Sequence, residues 1–144
     1  MVKSVLTGDR SLLTNDRIEL GPDGSFRWLG RLDNVINSGG FKVQAETVEK
    51  ALERLLLEYP PLAGRRFCVG PLPHPQWTQM VVAVIEGSPV APAIEAELCA
   101  RLRQKWLHQY EVPRYFYYRP RLLETPTGKI DRRANLAGLS VPAE

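Results

Sequence analysis

Six consecutive apolar residues, Met80-Val81-Val82-Ala83-Val84-Ile85, stand between Gln79 and Glu86 and are followed by glycine, serine and proline at 87–89. A run this short, this rich in β-branched side chains and free of polar alternation reads as a strand buried on both faces, hence central in its sheet. Such a strand needs helical cover, and two segments can supply it. From Ala45 to Glu58 the residues Val48, Ala51, Leu52, Leu55 and Leu56 recur at offsets of three and four, as in a helix that buries one face, and Pro60 and Pro61 end it. After Pro92, a helix-start signal, Ile94, Leu98, Leu102 and Trp106 recur every four residues.

Further strands read from Arg66 to Gly70 and, through the aromatic run, from Arg114 to Tyr118, the latter expected to bury one face, with a loop from Pro71 to Trp77. Upstream, Arg17 to Leu20 and Ser25 to Leu29 flank the turn cluster 21–24 as a hairpin. Val35 to Asn37 and Phe41 to Val43 flank Ser38-Gly39-Gly40 as a second reversal, where glycines take positive φ or admit a ligand to the backbone. A short terminal helix starts near Asp131. The expected class is α+β: an N-terminal β-hairpin, then a small three-stranded sheet flanked by helices.

The length of 144 residues suits one ordinary domain, or a small domain with an extension, and a hydrophobic share of 44% with 24% charged residues excludes disorder and fibrous repeats. Cys68 and Cys99 lie far apart without metal-ligand spacing, so both are expected as buried, reduced thiols, and the domain is expected to hold no bound metal. No segment approaches the roughly 18 apolar residues of a membrane span, and Met1 to Arg10 lacks the apolar core of an export signal. These readings point to a cytoplasmic protein with no membrane partner. The net charge of +3 comes from scattered basic residues; the densest cluster, Lys129, Arg132 and Arg133, suits a polyanionic small molecule as well as a nucleic acid. No nucleic-acid partner is expected.

Three groups of residues can carry chemistry. Lys129 follows Pro126-Thr127-Gly128 on an expected loop; a lysine ammonium can bridge a carboxylate and a phosphate as charge builds on phosphorus, although a lysine beside a glycine turn is ordinarily just solvated. Gly30-Arg31-Leu32-Asp33-Asn34, then Gly39-Gly40-Phe41-Lys42-Val43 with Glu46 and Glu49, join an arginine able to grip vicinal hydroxyls or a phosphate to a glycine pair open to a thin ligand arm. The same stretch reads equally as a capped turn leading into a helix. Asp16, after Thr14 and Asn15, can accept both hydroxyls of a ribose or simply form a turn.

The order of these motifs, from Asp16 through Gly30-Arg31-Leu32-Asp33, Gly39-Gly40-Phe41-Lys42-Val43, Val112-Pro113 and Pro126-Thr127-Gly128-Lys129, resembles the C-terminal part of the adenylate-forming family of acyl-CoA and aryl-CoA synthetases, adenylation domains and luciferases. The resemblance runs from about Leu13 to Arg133. Within the family, Thr14-Asn15-Asp16 and the run Phe26 to Gly40 look most like o-succinylbenzoate-CoA ligases of menaquinone biosynthesis. Two departures stand out: Asn15 where the family commonly has glycine, and Ala45 where it has proline.

The resemblance implies a two-step reaction, in which an acid and Mg-ATP give an acyl-adenylate and pyrophosphate, and coenzyme A then displaces AMP to give a thioester. It implies that Lys129 contacts the carboxylate and α-phosphate during adenylation, that Asp16 and Arg31 hold the ribose hydroxyls, and that Asp33 is a hinge. Gly39, Gly40 and Lys42 are implied to line the CoA channel after the domain rotates. Residues 1–32 are then the tail of a large N-terminal domain that binds ATP and the acid, and residues 33–144 the mobile C-terminal domain. The chain alone is expected to be inactive. The alternatives are an adenylation domain for another acid or amino acid, a stand-alone module for CoA or a nucleotide, and a basic nucleic-acid binder.

Overall fold

The computed structural model describes residues 5–7, 10–12 and 16–142. Two short strands, β1 (Val5–Thr7) and β2 (Arg10–Leu12), pair antiparallel ahead of the expected hairpin. That hairpin is β3 (Asp16–Leu20) with β4 (Phe26–Arg31), its register shifted by a bulge between Arg17 and Ile18. A 3-10 turn over Leu32–Asn34 leads into β5 (Val35–Ser38) and β6 (Phe41–Gln44), the second hairpin.

Helix α1 (Ala45–Leu56) buries Val48, Ala51, Leu52, Leu55 and Leu56, the stripe its spacing dictates. Ala45 starts the helix without proline's fixed φ: Gln44 ahead of it is extended, and Ala45 itself is buried. Strands β7 (Phe67–His74) and β8 (Thr78–Glu86) pair along their whole length. Helix α2 (Pro92–Lys105) carries the chain back to β9 (Tyr115–Arg119), which runs parallel to β8, a pairing that needs such a crossover. Helix α3 (Arg132–Leu136) closes the fold, with the Asp131 carboxylate accepting from the Ala134 N–H as its N-cap.

The central run of β8 behaves as its composition requires. Val81, Ala83 and Ile85 face α1 and α2 in the main core, while Val84 packs on the opposite face with Cys68 and Leu122, beside Ile130 and Leu136. Strands β7, β8 and β9 are the three strands expected. The second hairpin joins them through a single bridge, Ser38 to Thr78, so the sheet has five strands in all.

Three readings need adjustment. Pro71 to His74, expected in a loop, extend β7, because this strand lies at the sheet edge where an absent proline N–H breaks no ladder bond. The aromatic strand β9 has no fully buried face; each of its five residues is half-buried. Cys68 is buried, and that burial pushes its thiol pKa up to about 11, but Cys99 is only half-buried, with its thiol directed to the Pro113 carbonyl. Among the described residues no helix is long and apolar enough to cross a membrane.

Candidate functional site

Asp16 and Arg31 are directly opposite each other across the β3–β4 pair, and their side chains form a long ion pair of 4.0 Å. The Trp28 indole N–H donates to the Asp16 carboxylate at 3.1 Å, and the Arg31 guanidinium also reaches Asp33 at 3.5 Å. The three residues implied for ribose binding and for the hinge therefore form one exposed polar cluster. Their carboxylates share a single arginine fork, which leaves hydrogen-bonding capacity for vicinal hydroxyls. Thr14 and Asn15 lie outside the described residues.

Behind this cluster sits a hub that sequence reading missed. Gln44 is buried at the junction of β6 and α1; its amide N–H group donates to the Arg31 carbonyl and to Glu46, both at 2.7 Å, and its oxygen accepts from Arg17 at 2.8 Å. Glu46 in turn accepts from the Arg31 N–H and from Asn34, both at 2.9 Å. Partial burial works to raise the Glu46 pKa, but the bonds from Asn34, Arg31 and Gln44 outweigh it and hold the carboxyl below its ordinary range. Gly30 is what permits this packing: its φ is +145°, and a Cβ there would lie 2.5 Å from the Gln44 nitrogen. A lone polar residue between apolar Val43 and Ala45 was the available signal for Gln44.

Gly39 and Gly40 form the tip of the β5–β6 hairpin, four residues and about 13 Å from its base at the hub. Their φ values of +60° and +90° require glycine by conformation, and the space around them is open: a Cβ on Gly40 would meet nothing within 4 Å. The Gly39 N–H donates to the Trp77 carbonyl, and Arg114 lies 4.5 Å over the Trp77 ring. Lys42 is exposed beside the tip.

Lys129 stands on the loop between β9 and α3. Its loop is closed by the Thr125 N–H bonding to the Lys129 carbonyl at 2.7 Å and by the Lys129 N–H bonding to the Thr125 hydroxyl, with Gly128 at φ +86°. The side chain is exposed, and no ion pair among the described residues includes it. Arg132, grouped with Lys129 by sequence as a possible anion site, is engaged instead: it forms a two-bond ion pair with Glu49 on α1. The hub and the base of the lysine loop border one cleft of about 740 Å³, lined by Glu46, Glu49, Arg66 and Ile130 among others.

One small body thus presents the polar cluster of Asp16, Arg31 and Asp33, an open glycine turn and a lysine with no ion-pair partner among the described residues, in a fold shared with a solved acyl-CoA synthetase. No family model matches the chain. Among solved structures, the acyl-CoA synthetase (AMP-forming)/AMP-acid ligase II-like protein from Dyadobacter fermentans aligns with a TM-score of 0.63 and 31% identity, over 88% of this chain and 35% of that one. Among curated proteins, the medium-chain acyl-CoA ligase Mig of Mycobacterium avium is 35% identical over 129 residues, which is 90% of this chain and 22% of that protein. Surfactin synthase subunit 1 of Bacillus subtilis is 33% identical over 139 residues, 94% of this chain and 4% of that protein. The homologues and structural neighbours are AMP-forming acyl-CoA synthetases and related synthases, and the chain spans 22% of the length of the acyl-CoA ligase it matches.

Proposed function

We propose that this chain is the mobile C-terminal domain of an ATP-dependent, AMP-forming acid-CoA ligase, working with an N-terminal domain that binds ATP and the acid. The observation that carries this reading is Lys129: an exposed ammonium with no ion-pair partner among the described residues, on a hydrogen-bonded loop whose flanks are bonded to each other and to Asn135 of α3. In adenylation the acid's carboxylate oxygen attacks the α-phosphorus of Mg-ATP and pyrophosphate leaves. Lys129 bridges the carboxylate and the α-phosphate as charge develops between them. Asp16 and Arg31 hold the ribose hydroxyls. Rotation about Asp33 then withdraws the lysine and brings Gly39, Gly40 and Lys42 to the channel through which the CoA thiolate attacks the acyl carbonyl, releasing AMP.

The division at residue 32 fits the chemistry of the hairpin. Ile18, Leu20, Phe26 and Trp28 share one face of β3–β4, where Leu20, Phe26 and Trp28 are exposed. Residues 1–32 belong to the N-terminal unit in this reading, and residues 33–144 move. The acid-binding pocket lies outside this chain. The motif run 26–40 favours o-succinylbenzoate, which would place the enzyme in menaquinone biosynthesis, while the named ligase relative points to medium-chain acids. An adenylation domain for an amino acid is the second reading, favoured by the likeness to surfactin synthase subunit 1.

The test is reconstitution. This chain replaces the matched 129 residues of the Mycobacterium avium ligase, and thioester formation is followed with ATP, CoA and a panel holding o-succinylbenzoate, medium-chain fatty acids and amino acids. Thioester that depends on this chain supports the reading. A folded chimera that makes neither acyl-adenylate nor thioester from any acid refutes it.

A further inference from the structure

The loop that carries Lys129 has no helix or strand of its own, and a lysine side chain is long and flexible, so its ammonium is only as well placed as the backbone beneath it. Besides the bonds within the loop and those from Asn135 and Asp131 to its flanks, two ion pairs tie that backbone to the rest of the fold. On the N-terminal side, Glu124 pairs with Arg66 at 2.9 Å, an exposed contact of small strength. On the C-terminal side, Arg132 donates to both oxygens of Glu49, at 2.5 Å from Nη2 and 3.1 Å from Nε, with side-chain exposures of only 28% and 19%. One Glu49 oxygen also accepts the Val69 N–H of β7 at 2.9 Å. A forked pair fixes orientation as well as distance. Glu49 therefore joins α1, the sheet and the segment three residues beyond the lysine, across 83 positions of sequence.

We propose that Glu49 is a positioning residue for adenylation, setting the place of Lys129 through its forked pair with Arg132. This rests on the reading of Lys129 given above. Glu49 touches no substrate in this scheme; it acts through Arg132 and Ile130, the latter packed against the Cys68 and Leu122 core on one side and bordering the cleft on the other. Because the lysine serves the first half-reaction and withdraws for the second, a positioning role has a signature that a purely structural role lacks.

The experiment measures the two half-reactions of the reconstituted enzyme separately: acid-dependent pyrophosphate exchange, and thioester formation from supplied acyl-adenylate and CoA. Lys129→Ala is the benchmark and must lose exchange while keeping thioester formation; if it does not, the parent reading fails and this proposal with it. Given that benchmark, Glu49→Gln, which keeps an acceptor for Val69 but loses the charge, is expected to slow exchange roughly 10- to 100-fold, as a misplacement near 1 Å does. Thioester formation should stay within about twofold. Equal loss of both half-reactions, or an unchanged exchange rate, overturns the proposal. Should Glu49→Gln fail to fold, Arg132→Lys, which retains a cation but loses the fork, carries the same expectation and the same two contrary outcomes.

Discussion

Gly30 is where a single atom decides the geometry of the candidate site. Its buried position, φ of +145° and close neighbours Gln44 and Glu46 leave no room for a methyl group. Gly30→Ala is expected to destabilise the chain by about 3 kcal/mol through combined backbone strain and overlap, measured as a shift in the denaturant midpoint. A change below 0.5 kcal/mol would show that the hub relaxes freely. Residue types legible in the sequence were those whose chemistry is also their fold signal. The glycines at 39 and 40 do take positive φ, and the terminal helix does start next to Asp131. Gln44 and Asn135 were not legible, because a buried amide looks like any polar residue until its partners arrive from distant parts of the chain. Asn135 is fully buried, accepts from the Leu123 N–H and donates to the carbonyls of Leu123 and Asp131.

At the scale of elements, the junction of β4, the 3-10 turn, β6 and α1 is held by the Glu46 carboxylate. Its folded pKa lies below the ordinary glutamate value, so the stabilisation it contributes is fully present above that ordinary value and is lost as pH falls through the carboxylate range toward the folded pKa. Acid unfolding of the wild-type chain should accordingly have a steeper limb than that of Glu46→Gln, with the two curves converging at low pH. Parallel limbs would mean that the carboxylate is not held ionised by the hub. Hydrophobic period was a reliable guide here: α1, β8 and α2 stand where their spacing puts them, since burial of one stripe or of both faces leaves few alternatives. The extension of β7 through Pro71 and Pro73 escaped notice because a proline's tolerance depends on whether its strand is an edge, which is a property of the sheet.

For the whole molecule, the apolar face of the β3–β4 hairpin is the feature that most supports the proposed N-terminal partner unit. Phe26 is 69% exposed and Trp28 53%. If residues 1–32 dock on the ATP- and acid-binding unit, Phe26→Ser should weaken binding of that unit, supplied as a separate chain, by about tenfold in titration calorimetry, while leaving the melting of the isolated chain nearly unchanged. Unaltered affinity would remove the hairpin from the interface. That the glycine turn and the lysine loop stand on different elements was legible in the sequence; the single bridge from Ser38 to Thr78 that joins the glycine hairpin to the central sheet was not, because it depends on where distant strands meet.

The measurement that reaches the central claim most directly is pyrophosphate exchange by the reconstituted enzyme with Lys129 intact and with Lys129→Ala. The account predicts acid-dependent exchange that falls at least about a hundredfold in the variant, the scale of losing one donor to a developing negative charge, while thioester formation from supplied acyl-adenylate persists. Exchange that proceeds equally without the lysine would contradict it.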